Sequence, residues 1–154
     1  MITAVSQAKV YGAAVPPLTA SYAGFVNSDT PASLSTPVSL GTVATAASHV
    51  GTYAIVAGGA TSPNYAISFV NGFLTITPAN LAITADNKSM PKGSAVPTLT
   101  ASYSGFVNGD GPSSLATPVM LATTATPSSP VGTYSITATG ATSSDYSITQ
   151  VNGV

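Results

Sequence analysis

The side chains that could carry out acid–base chemistry are few and scattered in this sequence of 154 residues. There are four aspartates, three lysines and one histidine, while glutamate, arginine and cysteine are absent. Enzymatic acid–base catalysis needs paired ionisable groups held in a shaped site. We therefore predict no enzymatic activity, no catalytic residues and no cofactor. The residues concerned are Asp29, Asp86, Asp110, Asp145, Lys9, Lys88, Lys92 and His49.

Metal binding has one candidate segment, Asn27-Ser28-Asp29, which recurs as Asn108-Gly109-Asp110. Calcium is usually held by about six to eight oxygens from several carboxylates, and this segment supplies one carboxylate. One histidine without cysteine also excludes the usual zinc ligand sets. Asn and Asp commonly hold a turn by bonding their own backbone. We favour this structural role, keep calcium as the alternative, and predict no metal site.

The composition favours strands as the elements that position these residues. Hydrophobic residues make up 44% of the chain and charged residues 5%, and there are 22 Thr and 21 Ser. Thr, Val, Ile and Tyr suit a half-buried pleated surface, whereas the good helix formers Glu and Arg are missing. The net charge of −1 provides no basic cluster for nucleic acid. No apolar run approaches the roughly 20 residues that span a bilayer, so we expect no membrane insertion.

The decisive feature is an internal repeat. A shift of 81 residues aligns the sequence with itself without a gap, from Ile2/Ile83 to Gly72/Gly153, and more than half of the overlapping positions are identical. Such self-similarity indicates tandem copies of one structural unit. Segments of copy 1 that recur unchanged in copy 2 include Leu18–Tyr22, Gly24–Asn27 and Val50–Tyr53.

Comparison of the copies separates a buried face from an exposed one. Tyr53, Ile55 and Ala57 are kept in copy 2, while the alternate residues Ala54 and Val56 become Ser and Thr. Retention at every second position predicts a strand with one buried face. Further strands are predicted to begin at Ile2, Leu18, Val38, Tyr65 and Phe73, and a helical turn at residues 29–34.

Comparison of the copies also shows which of the candidate chemical residues occur in both. Lys9 aligns with Met90, Lys88 with Gln7 and His49 with Pro130, so no lysine or histidine is common to both copies. A lysine–asparagine isopeptide bond, and catalysis by a lone loop histidine, are therefore not expected. Three tyrosines do recur, and their strand positions favour core packing with a hydroxyl at the rim over sugar binding. They are Tyr22, Tyr53 and Tyr65, matched by Tyr103, Tyr134 and Tyr146.

These patterns predict a mainly β protein of two small tandem domains of immunoglobulin-like size. Each is expected to be a sandwich or a mixed sheet, with one short helical turn as an option. The expected organisation is repeat 1 at residues 1–78, a short linker at 79–81 and repeat 2 at 82–154. Pro78 restricts the junction, so we expect the repeats to lie end to end, as in a stalk.

Repeat 2 is expected to lack its final strand, because the sequence contains no counterpart of Leu74–Thr77 after Val154. Three interpretations are open. The boundary is arbitrary, or the gap accepts a strand from another chain by β-strand addition, or the unit tolerates the loss.

Short motifs recur in a fixed order along copy 1: Lys9–Gly12, Gly24–Asp29, Val50–Tyr53, Asn64-Tyr65 and Gly72–Thr77. In this order and spacing they resemble the MBG-type repeats found in arrays in large bacterial surface proteins. The resemblance covers essentially both copies, and copy 2 departs from it at Met90–Gly93. It implies display at the bacterial cell surface and an architectural or adhesive role.

Three functions follow as hypotheses. The first is a passive spacer of an extracellular stalk or adhesin, with like domains as its neighbours. The second is a filament subunit that a neighbouring chain completes with a strand. The third is an adhesive module that binds a glycan or a surface protein.

Overall fold

The alternating segment of copy 1 forms the longest strand of its unit, β5 (Gly51–Gly58). Ile55 and Ala57 are buried, Tyr53 is half-buried, and Ala54 and Val56 are exposed, so the predicted faces are confirmed. The computed structural model describes residues 1–154, which divide into unit 1 (Met1–Thr77) and unit 2 (Pro78–Val154). The prediction of a mainly β fold with two repeats is confirmed.

Unit 1 contains two mixed sheets. In the three-stranded sheet, β1 pairs antiparallel with β3 and parallel with β6. In the four-stranded sheet the order is β2-β7-β5-β4, with β2 and β7 parallel and the other pairs antiparallel. The remaining bounds are β1 (Ile2–Ala4), β2 (Gln7–Val10), β3 (Ala20–Tyr22), β4 (Ser39–Gly41), β6 (Phe69–Val70) and β7 (Gly72–Thr77).

The core of unit 1 lies between these two sheets, where β1 contacts β5 and β7. Ile2, Ile55, Leu74 and Ile76 are at most 3% exposed. Each such side chain contributes about 1.5–3 kcal/mol when it is removed from water. The core therefore depends on strands from both ends of the unit.

Unit 2 has the same plan with fewer strands. A three-stranded sheet has the order β12-β8-β9, in which β8 is parallel to β12 and antiparallel to β9. A separate antiparallel pair joins β10 and β11. The bounds are β8 (Ala79–Ala85), β9 (Ala101–Ser104), β10 (Met120–Thr123), β11 (Ile136–Thr139) and β12 (Tyr146–Val151).

The structure differs from the sequence predictions at three places. The strand expected to begin at Tyr65 begins only at Phe69 in unit 1, although its counterpart in unit 2 begins at Tyr146. Residues 79–81, expected as a linker, are the first residues of β8, because Ala79 and Leu81 are buried against β12. The side-chain pattern does not predict strand β2. In this strand the charged residue Lys9 is buried and the apolar residue Val10 is exposed, which is the reverse of the usual pattern.

The predicted helical turn exists as a short 3-10 turn in each unit, at Pro31–Ser33 and Pro112–Ser114. The chain has no helix long and apolar enough to cross a membrane.

At Gly72, the backbone of β7 lies very close to the backbone at the end of β1. A β-carbon at this position would lie 2.5 Å from the carbonyl oxygen of Ala4 in β1, too close for any side chain. Gly153 has the same relation to Ala85 in unit 2. Both copies therefore keep glycine here because the backbone of another strand occupies the space.

We expect Gly72→Ala to destabilise unit 1 by about 1–3 kcal/mol, because the backbone of β1 must move to admit the methyl group. Hydrogen exchange of the β5 and β7 amides should accelerate by roughly ten- to a hundredfold. The matched control is Gly41→Ala, in a strand of the same unit, where a β-carbon meets nothing within 4 Å. Equal exchange rates in the two variants would contradict the steric argument.

Candidate functional site

The repeated Asn-x-Asp segment forms a tight turn in both units. Asn27 and Ser28 have φ angles of 55° and 66°, and Asn108 and Gly109 have φ angles of 56° and 79°. Asn tolerates this left-handed region better than most residues. The Asp29 amide donates to the Val26 carbonyl at 3.0 Å, which closes the turn.

A tyrosine from a distant part of the unit anchors this turn. The Tyr65 hydroxyl donates to Oδ2 of Asp29 at 2.6 Å, and the Val26 amide donates to the same hydroxyl at 3.2 Å. In unit 2 the hydroxyl of Tyr146 donates to Asp110, also at 2.6 Å. The aspartate thus fastens the turn to a segment 36 residues away. No group of three or more His, Cys, Asp or Glu side chains lies close enough together to hold a metal ion.

An aromatic cluster surrounds each anchor. The Phe25 ring meets Tyr65 edge-on at a centroid distance of 5.4 Å and stacks on Tyr22 at 5.9 Å. Phe106 makes the same contacts with Tyr146 and Tyr103 in unit 2. Edge-to-face and offset contacts of this kind stabilise aromatic clusters beyond their buried area.

The third repeated tyrosine also uses its hydroxyl within its own unit. Tyr53 donates to the carbonyl of His49 at 3.0 Å, and Tyr134 donates to the carbonyl of Pro130 at the same distance. The geometry of all three pairs is that of packing and anchoring, with each ring partly or fully buried.

The anchor also changes the ionisation of its tyrosine. The hydrogen bond to Asp29 raises the pKa of Tyr65 above its ordinary value of 10.0, because an ionised phenol could not donate it. The nearby Asp29 charge and partial desolvation act in the same direction, while the bond from Val26 opposes them.

The remaining ionisable candidates do not converge on one site. His49 is exposed and its ring stacks on Tyr11 at 6.1 Å. The Lys9 side chain is 7% exposed, and its ammonium group donates to the carbonyls of Ala13 and Ala46. Burial lowers the pKa of Lys9.

Asp86 in unit 2 has its own hydroxyl partners. Ser102 and Thr100 donate to its two carboxylate oxygens at 2.6 and 2.5 Å. These bonds, that from Ser102 first, lower the pKa of Asp86 below its ordinary value of 3.8. The corresponding residue of unit 1 is Val5, so this interaction belongs to unit 2 alone.

Unit 2 contains an open groove next to Ile136 and Val154. It has a volume of about 280 Å³, and its lining includes Met90, Leu99, Tyr134, Ile136 and Val154. In unit 1 the corresponding place is filled by β7, whose Leu74 and Ile76 are 0% and 1% exposed.

A cavity of about 250 Å³ in unit 1 has three aromatic residues in its lining, Tyr22, Phe25 and Tyr65. In unit 2 the corresponding segment, Tyr146 to Ile148, pairs with Ala79–Leu81 of β8. The cavity of unit 1 therefore lies at the position where unit 2 has the paired strands β8 and β12.

Comparison with known proteins gives one positive result. A family model described as MBG domain (YGX type) matches residues 1–75 and 81–154. No curated protein and no solved structure matches the chain.

We expect Asp29→Ala to lower the pKa of Tyr65 toward 10.0, because the carboxylate that accepts the hydroxyl hydrogen bond, the main cause of the elevation, is removed. The raised folded-state pKa means that the anchor stabilises unit 1 fully below pH 10.0 and that this stabilisation is lost as the pH rises through the folded pKa. Tyrosinate absorbance would be compared with that of Tyr65→Phe to assign the signal. A Tyr65 titration that is the same with and without the Asp29 carboxylate would refute the assignment.

The hydrogen bonds to Asp86 should make unit 2 sensitive to acid. Because the folded-state pKa is lowered, the stabilisation is fully present above the unfolded value of 3.8 and is lost as the pH falls through the folded pKa. Asp86→Val, which introduces the residue type found at Val5, should remove this dependence. Hydrogen exchange of β8 and β9 amides over a series of acidic pH values measures it, and an unchanged pH profile in the variant would count against it.

Proposed function

This chain belongs to the MBG domain family of the YGX type, and we propose on that premise that its units are structural repeats of a large bacterial surface protein. The family suggests a repeat in large surface proteins. We propose the finer role of an extracellular, non-enzymatic spacer that stays folded under tension along the chain. The observation that carries this proposal is the parallel pairing of strands from opposite ends of each unit.

The pairing matters because of the direction in which tension acts. In unit 2, β8 begins the unit and pairs parallel with β12 near its end, from Tyr146↔Ala79 to Val151↔Thr84. Tension between residues 78 and 154 pulls these strands in opposite directions along their length. All hydrogen bonds of the ladder then resist together, rather than breaking one after another.

Unit 1 has the same geometry in its four-stranded sheet. Strand β2, near the start of the unit, pairs parallel with β7 at its end, from Gln7↔Leu74 to Val10↔Thr77. The buried Leu74 and Ile76 side chains of β7 add apolar contacts that must also be broken. Both copies thus place a parallel ladder between their two ends.

The surface chemistry also suits an exposed spacer. Charged residues make up 5% of the chain, so hydroxyl groups, amides and backbone provide most of its polarity. These groups neither titrate near neutral pH nor respond strongly to salt. A glycan-binding role has no comparable observation in its favour, because four of the six repeated tyrosine hydroxyls bond within their own units, namely those of Tyr53, Tyr65, Tyr134 and Tyr146.

Pulling single molecules tests the proposal directly. The chain lacks cysteine, so engineered thiols define the pulling points without ambiguity. Pro78→Cys with Val154→Cys loads unit 2 along the β8–β12 ladder. We expect one cooperative event, with a contour length of roughly 250–280 Å for the 77 residues of the unit before the folded length is subtracted.

The matched control changes only the direction of the load. Met120→Cys with Thr139→Cys places the thiols across one end of the antiparallel β10–β11 pair, which should open one residue pair at a time. We expect the first structural break at a lower force in this geometry. Equal forces in the two geometries would overturn the proposed mechanical role.

A further inference from the structure

We propose that Asn108 is a site of spontaneous covalent modification, at which the side-chain amide is lost and a carboxylate appears in the turn of unit 2. The reacting pair is Asn108-Gly109, and the co-reactant is water. This inference does not rest on a mechanical role, because it concerns the chemistry of one turn.

The reaction proceeds through a cyclic intermediate within the dipeptide. The backbone nitrogen of Gly109 attacks Cγ of Asn108, so that a new C–N bond forms and the bond from Cγ to the side-chain nitrogen breaks. That nitrogen leaves as ammonia with the amide proton of Gly109, and a succinimide ring remains. Water then adds to one of the two ring carbonyls. One direction of opening gives aspartate, and the other gives isoaspartate, whose main chain runs through the side-chain carbon.

The turn leaves both reacting groups accessible. Asn108 and Gly109 are exposed and have φ angles of 56° and 79°. Neither the side chain of Asn108 nor the amide of Gly109 makes a hydrogen bond, and a β-carbon built at Gly109 meets nothing within 4 Å. The two groups therefore approach each other without losing a partner of their own.

The other two Asn-Gly pairs of the chain are held in place. The side-chain oxygens of Asn71 and Asn152 accept the amides of Ala57 at 3.3 Å and Ala138 at 3.1 Å. Gly72 lies in β7, and the amide of Gly153 donates to the carbonyl of Ile136 at 2.9 Å. Ring closure at either pair must first break these hydrogen bonds, so the same dipeptide is protected there.

The turn of unit 1 provides an internal comparison with the same backbone. Asn27 and Ser28 have φ angles of 55° and 66°, and both residues are exposed. The attacking nitrogen here belongs to serine, whose β-carbon restricts the backbone rotation that glycine permits. The remaining asparagines precede Tyr, Leu and Lys. Asn108 is thus the asparagine that combines a glycine neighbour with an open turn.

The modification acts on the anchor of unit 2. The turn is closed by a hydrogen bond of 2.9 Å from the Asp110 amide to the Val107 carbonyl, and Asp110 accepts the Tyr146 hydroxyl at 2.6 Å. Isoaspartate at position 108 inserts an additional main-chain carbon between Val107 and Asp110. The closure of the turn and the position of the Asp110 carboxylate are then both disturbed, while unit 1 keeps its anchor.

The experiment follows the whole folded chain at mildly alkaline pH in water enriched in heavy oxygen. Samples are digested in acid, and mass spectrometry locates each asparagine that has exchanged its side-chain nitrogen for oxygen. We expect conversion at Asn108 with uptake of one heavy oxygen, and faster exchange of the Asp110 amide in the product. Conversion at Asn71 and Asn152 should be at least about tenfold slower, because it requires local opening of paired segments.

Two variants exchange the turn sequences between the units. Gly109→Ser should slow conversion at Asn108 to the rate of Asn27, and Ser28→Gly should raise the rate of Asn27 to that of Asn108. The same chain in denaturant gives the rates without structure. An unchanged rate in Gly109→Ser, or equal rates at Asn108 and Asn71 in the folded chain, would overturn the proposal. It would also be overturned if Asn108 converted in denaturant but not in the folded chain.

Discussion

The pairing of a central strand with partners on both edges is the constraint on which each unit depends. In unit 1, β7 holds β2 on one side and β5 on the other, and its Leu74 and Ile76 side chains are almost completely buried. Lys9 is the one buried residue with a polar or charged side chain, and its ammonium group donates to the carbonyls of Ala13 and Ala46. A chain with so few charges relies on such pairing and apolar burial instead of ion pairs.

The two copies form an internal comparison of what this pairing does. Residues 51–55 and 132–136 differ at one position, yet the first segment is wholly a strand and the second is a strand only at Ile136. A second pair of segments shows the opposite difference: Tyr65–Ser68 in unit 1 is not a strand, whereas Tyr146–Thr149 in unit 2 is one. Here the unit 2 segment is a strand, because Ala79–Leu81 lie beside it. Corresponding segments of similar sequence therefore differ in structure according to whether a partner strand is present.

The polar groups of each unit serve the same organisation. The aspartate of each Asn-x-Asp turn bonds to a tyrosine on a distant segment, and that ring packs on a phenylalanine from the turn. The Ala57 amide donates a hydrogen bond to the side-chain oxygen of Asn71. The Ala138 amide donates to the side-chain oxygen of Asn152 at the corresponding place in unit 2. The two aspartates thus connect each turn to a distant segment of its own unit, and no buried side-chain polar atom is left without a hydrogen-bond partner.

The sequence by itself determined the repeat, the β class, the buried face of β5 and the position of the short helical turns. These features follow from periodicity and turn chemistry within short segments, which need no knowledge of the fold. Only the tertiary structure decided that Lys9 faces inward, that residues 79–81 are strand, and that Asp29 bonds to Tyr65. Each of these depends on a partner far away in sequence, such as Tyr146 for Ala79, and side-chain alternation carries no information about which strands become neighbours.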